Sequence, residues 1–218
     1  MKKRTLGGIV LALLLSVGTF VVRSWPRPIP PEIVARSVIQ DPVLLAKAEE
    51  LPAARELLSE LRYQSNISVC GPASLANVFR VLGEEATTEQ AVLDGSGRCL
   101  LGFCVGGLTL EDLAEVARLH TTRKVTVLQD LSPEQFKAEL IAANQGKARY
   151  IINFHRKPIF TMGGGHHSPI GGYLEAEDLV FVLDVNEDYK PWLVSRETLY
   201  AAMNTIDGQK KRGMLRFD

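Results

Sequence analysis

The sequence predicts an α+β protein, because helix signals fill its first half and strand signals its second. Two observations carry that prediction. Capped amphipathic stretches open at Asp41, Thr109 and Ser132. Two apolar runs flank the polar break Glu175-Ala176-Glu177-Asp178, the pattern of a β-hairpin.

Taken in order, Asp41-Pro42 opens a helix expected from Val43 to about Tyr63. A second begins at Pro72, whose missing N–H costs nothing in a first turn. Leu75, Val78, Phe79 and Leu82 give it a buried face, and Gly83 stops it. Thr109 caps a third, with Leu113, Val116 and Ala117 turned inward, and Ser132-Pro133-Glu134-Gln135 is a capping box for a fourth carrying Phe136 and Leu140. Lys124–Leu128 and Arg149–Phe154 read as strands. In the hairpin beyond them, Val180, Val182 and Asp184 share one face by period-two alternation.

The chemistry begins at Cys70, in Gln64-Ser65-Asn66-Ile67-Ser68-Val69-Cys70-Gly71-Pro72-Ala73-Ser74-Leu75. A cysteine at a helix mouth meets unsatisfied N–H groups and the positive end of the helix dipole, which favour thiolate over thiol. The bland alternative is a small buried cysteine. A thiolate attacking an amide needs a base and an oxyanion donor. Gln64, six residues earlier, supplies an NH₂ that can fold back toward the sulfur.

The base candidates stand in Gly163-Gly164-Gly165-His166-His167-Ser168-Pro169-Ile170-Gly171-Gly172-Tyr173. A turn centred near Ala176-Glu177 brings this histidine pair within about three residues of Asp184 in cross-strand register, a gap that a bulge closes. The carboxylate then fixes an imidazole's tautomer, the third role of a triad. Both His166 and His167 are within reach of the cleft. Gly165 and its neighbours allow close backbone approach by a ligand.

Taken together, the Gln64–Leu75 run, Gly-His-x-Ser-Pro-Ile-Gly-Gly-Tyr at 165–173, Leu183-Asp184-Val185, Ala202–Asp207 and Lys211-Arg212-Gly213 resemble the catalytic domain of the phytochelatin synthase family. The resemblance covers roughly residues 35 to 218 and implies a papain-like cysteine-peptidase fold. It implies Cys70 as nucleophile, His166 rather than His167 as base, Asp184 as its partner and Gln64 in the oxyanion hole. It also implies Arg212 in substrate binding, against the bland reading of a surface charge beside Lys210 and Lys211. The substrates implied are glutathione and related γ-glutamyl thiol peptides, and a homodimer is compatible. No cofactor is required for the thioester chemistry; Cd, Zn or Cu ions enter as thiolate complexes of the substrate. Plant members carry a long Cys-rich C-terminal domain after the last motif, whereas this sequence stops at Asp218. Peptide cleavage, as in short bacterial members, is therefore the expectation. His167 departs from the family by replacing an apolar residue.

Composition agrees with one enzyme-sized domain in 218 residues. Lys+Arg and Asp+Glu are 25 each, so no global field draws the chain to nucleic acid. Lys2-Lys3-Arg4 and an apolar run from Leu6 to about Val22 read as an export signal or membrane anchor at 1–24. A proline-rich stretch at 25–34 reads as a stiff linker, and 35–218 as the catalytic domain. The protein is thus expected to be exported, periplasmic or anchored facing the periplasm. Cys99 and Cys104 lie in a glycine-punctuated loop where a disulfide, two free thiols and a soft-metal site are all open. Two rivals stand beside the acyltransferase: a bacteriocin leader-type peptidase, and a non-enzymatic thiol protein binding soft metals through its cysteines and the histidine pair.

Overall fold

The computed structural model describes residues 28–218, so the expected leader at 1–24 lies outside the described residues. Helix α1 (Pro31–Ser37) has proline at its first position, where a missing donor is harmless. Ile29 and Val34 are buried, and the Ile29 N–H donates to the Tyr189 hydroxyl at 3.1 Å. The stretch expected to be a spacer therefore joins the folded domain from Ile29 onward, because its apolar side chains enter the core.

The helix expected from Val43 to about Tyr63 is two: α2 (Pro42–Glu49) and α3 (Pro52–Glu60). Pro52 lacks the donor a continuing helix needs and holds Leu51 extended, with φ −64° and ψ 143°. The Asp41 carboxylate caps α2 by accepting from the Val43 and Leu44 N–H groups, both at 3.0 Å. Helix α4 (Cys70–Leu82) begins at Cys70, two residues before the expected Pro72, and ends where Gly83 takes a left-handed φ of 75°. After α5 (Glu89–Leu93) comes α6 (Leu110–His120), opened by a Thr109–Asp112 capping box. Strand β1 (Val125–Gln129) precedes α7 (Pro133–Asn144), which opens on the expected Ser132–Gln135 box. Then follow β2 (Arg149–His155), α8 (Lys157–Phe160), β3 (Gly165–Leu174), β4 (Leu179–Val182) and β5 (Trp192–Ser195). Helix α9 (Arg196–Met203), a small β6 (Ile206–Asp207)/β7 (Lys210–Lys211) ribbon and β8 (Gly213–Phe217) finish the chain.

Six strands form one antiparallel sheet in the order β1-β8-β2-β3-β4-β5, with helices on both faces. Alternation sorts the side chains. Ile151, Phe181, Leu183 and Leu215 pack with Leu57, Leu75, Val78 and Phe79 of α3 and α4. Ile152, Val180, Val182 and Met214 pack with Phe136, Leu140 and Leu199 of α7 and α9 on the other face.

The β3–β4 hairpin turns between Leu174 and Leu179, where the polar break stands. Its ladder shifts between Ile170 and Gly172, leaving Gly171 as an extra residue on β3. Pro169, which has no N–H to give a ladder, stands just before the shift and accepts from the Leu183 N–H at 3.0 Å.

Candidate active site

Cys70 is the first residue of α4 and is buried at 8% exposure. No side chain caps this helix, so its first-turn N–H groups face the sulfur's end of the molecule. Both histidines converge there from β3. Cys70 Sγ lies 3.9 Å from His167 Nδ1, and His166 is the charge that most favours the thiolate. Burial pushes the thiol up, but the His166 charge and hydrogen bonds from both imidazoles outweigh it and hold Cys70 well below the ordinary thiol value.

Asp184 is fully buried and settles which imidazole is oriented. His166 Nε2 lies 2.8 Å from Asp184 Oδ1, which also accepts from the Asn186 N–H at 2.9 Å. Asp184 Oδ2 accepts from Trp192 Nε1 at 3.1 Å. Burial raises the carboxyl, yet the His166 charge and hydrogen bond, the Arg156 charge and the Asn186 N–H hold it below the usual carboxylate range. Burial and Arg156 push the His166 imidazole down, while Asp184 and the Cys70 thiolate push it up and prevail. With Nε2 engaged, Nδ1 is the His166 atom left to exchange a proton.

Gln64 is tied to the same place through its backbone, whose N–H donates to the carbonyl of Val185, next to Asp184, at 2.7 Å. Its Nε2 donates one hydrogen to the Asn66 carbonyl at 3.0 Å, leaving the amide's second N–H. The lead-in is braced from outside. Asn66 Oδ1 accepts from the Ser68 N–H and hydroxyl, and Ser68 Oγ accepts from the Cys104 N–H at 3.0 Å. Cys104 is joined to Cys99, so the open question of that pair resolves as a disulfide with Cys70 the free thiol. No group of three or more His, Cys, Asp or Glu among the described residues is arranged to hold a metal.

This constellation sits in a chain whose residues 25–214 match the family model for phytochelatin synthase. The chain belongs to that family. Among its relatives, "Glutathione gamma-glutamylcysteinyltransferase 3" of Lotus japonicus is 31% identical over 166 residues, 70% of this chain and 34% of the relative. The enzyme named "Glutathione gamma-glutamylcysteinyltransferase" in Schizosaccharomyces pombe is 27% identical, across 69% of this chain and 39% of the relative. The chain thus spans about a third of the length of these curated relatives. In fold it is similar to a putative C39-like peptidase from Bacillus anthracis, with TM-score 0.55, 14% identity, and 72% and 93% of the two chains covered. The peptidase domain of Streptococcus ComA gives TM-score 0.50 at 16% identity, covering 72% and 95%. The α+β architecture is that of papain-like cysteine peptidases.

Within this phytochelatin synthase domain, Arg212 and Gly165 are brought together. A Cβ at Gly165 would lie 2.7 Å from Arg212 Nη2, so the glycine makes room for the guanidinium. Arg212 is not a surface charge: it is 6% exposed, pairs with Asp207 Oδ1 at 2.9 Å and donates to the Ile206 carbonyl. Its Nε is buried and has no hydrogen-bond partner.

Three residues escaped the sequence reading. Trp192 lies on β5 opposite Val182, two residues from Asp184 along β4's line, and a lone Trp in an apolar strand was the available sign. Arg156 stacks 4.8 Å over the Tyr189 ring and reaches within 3.9 Å of Asp184. Asn153, cross-strand partner of His167, donates to Asp207 Oδ2 at 2.8 Å.

Proposed function

We propose that the protein is a cysteine-dependent acyltransferase that cleaves the Cys–Gly bond of glutathione. The observation that carries this is a cysteine at the start of α4 facing the His166-His167 pair of β3, with His166 bonded to buried Asp184, in a family whose named relatives are glutathione γ-glutamylcysteinyltransferases. The Cys70 thiolate attacks the Cys–Gly carbonyl, and the Cys70 N–H and the second N–H of Gln64 receive the oxyanion. His166 Nδ1 passes its proton to the departing glycine amine, leaving a γ-glutamylcysteinyl thioester. Asp184 holds the imidazole throughout. Water resolves the thioester to γ-Glu-Cys; the amine of a second glutathione gives the shortest phytochelatin. Arg212 serves the substrate's carboxylate end, with Gly165 leaving room for its guanidinium. Cd, Zn or Cu enters only as a thiolate complex of the substrate, and the leader at 1–24 delivers the domain to an exported or membrane-facing position.

Intact mass of the leader-free protein after brief incubation with glutathione tests this, beside Cys70→Ala. A γ-Glu-Cys acyl adduct on wild type alone, with glycine released, is expected. A reducible mixed disulfide without glycine release overturns the glutathione reading. Cleavage of a double-glycine leader peptide but not of glutathione replaces it with the leader-type peptidase.

A further inference from the structure

The base and its carboxylate leave one buried imidazole at the nucleophile without an assigned task. We propose that His167 is a second partner of the sulfur, its Nδ1–H donating to Cys70 and holding the thiolate from the α4 side while His166 carries the proton.

The geometry is specific. His167 is 2% exposed, its Nδ1 lies 3.9 Å from Cys70 Sγ, and a Cβ on Gly71 of α4 would sit 3.6 Å from that same nitrogen. Its Nε2 has no hydrogen-bond partner. Asn153, directly across on β2, spends its amide on Asp207 and keeps Oδ1 unpartnered, so nothing anchors the ring from behind. Cys70 is therefore the polar engagement of His167 among the described residues. A buried polar ring costs free energy unless bonded, and an apolar side chain would fill the space without that cost. The sulfur is what the imidazole serves. The other charged groups about the pair are His166, with Asp184 and Arg156 behind it, and Asp207 and Arg212 behind Asn153.

A donor on a thiolate raises its population at low pH and reduces its intrinsic nucleophilicity. That gives a signature that mere packing does not. The inference rests on Cys70 as nucleophile but not on glutathione, and alkylation by iodoacetamide needs no substrate, so the two readings fail separately. In His167→Phe the acid limb of the alkylation rate moves to higher pH, and the plateau above it rises about threefold for each unit moved. His167→Asn, which keeps a donor near Nδ1, restores part of the limb. An unmoved limb, or uniform slowing at every pH, overturns the proposal. In the wild-type chain the ¹⁵N signal of His167 Nδ1 shifts when Cys70 is alkylated; an unresponsive signal also overturns it.

Discussion

His166 and Asp184 face each other because the ladder between their strands slips by one residue at Gly171. An unshifted ladder from the Leu174–Leu179 turn would run Asp184 opposite Pro169, on the face that carries His167. The bulge runs it opposite Ser168, on the face that carries His166. Asp184→Asn tests what the pairing does. The amide keeps the shape but favours the wrong imidazole tautomer, so kcat falls by about 10²- to 10⁴-fold with little change in KM. Steady-state kinetics at fixed pH checks it; a loss confined to KM would show that Asp184 does not act through the base.

The shifted groups define a working window. Cys70 is held low, so the thiolate is lost only as pH falls through a value well below that of an ordinary thiol. His166 is held high, so its proton for the leaving amine is lost as pH rises through a value above the ordinary imidazole one. A bell-shaped kcat between these limbs is expected. Stability follows the same signs. The low carboxyl of Asp184 stabilises the fold fully above its unfolded value, and that contribution goes as pH falls through the folded one. The raised His166 contributes below its unfolded value and ceases to as pH rises through the folded one. Asp184→Asn should flatten the acid side of a plot of unfolding free energy against pH.

Much of this site is written in local sequence, because each part obeys a local rule. Cys70 was legible from the helix it opens, and the hairpin from the polar residues Glu175 to Asp178. The break at Pro52 was equally local, a donor missing inside an otherwise helical run, yet the periodicity around it concealed it. The choice between His166 and His167 is different. It depends on a one-residue slip at Gly171 that alternation alone leaves open. Trp192 and Asn153 belong to the site only through strand pairing, and Arg212 is recognised as a buried partner of Asp207 only when the β6–β7 ribbon is folded.

Gly171→Ala probes the slip itself. A Cβ there would lie 2.8 Å from Phe181 Cδ1 and 3.1 Å from Leu183, both fully buried side chains. Pushing them moves β4, which leads directly into Asp184. The substitution should cost about 1–3 kcal/mol of stability. It should also lower kcat at temperatures where the protein remains folded. Chemical denaturation beside single-turnover kinetics checks both. Lost stability with an unchanged acylation rate would detach the bulge from the orientation of His166.

Gln64 separates the oxyanion from the thiolate. In the proposed mechanism its side chain meets charge that appears only during attack, whereas the Cys70 thiol is already held well below the ordinary value by the His166 charge and hydrogen bonds from both imidazoles, against burial. Gln64→Ala should therefore reduce kcat by about 10²- to 10³-fold. It should leave the acid limb of iodoacetamide alkylation in place, because alkylation forms no oxyanion. The backbone bond from the Gln64 N–H to the Val185 carbonyl survives the change, so the segment keeps its position beside Asp184. Were alkylation and acylation to slow together, Gln64 would be shaping the nucleophile and not the transition state.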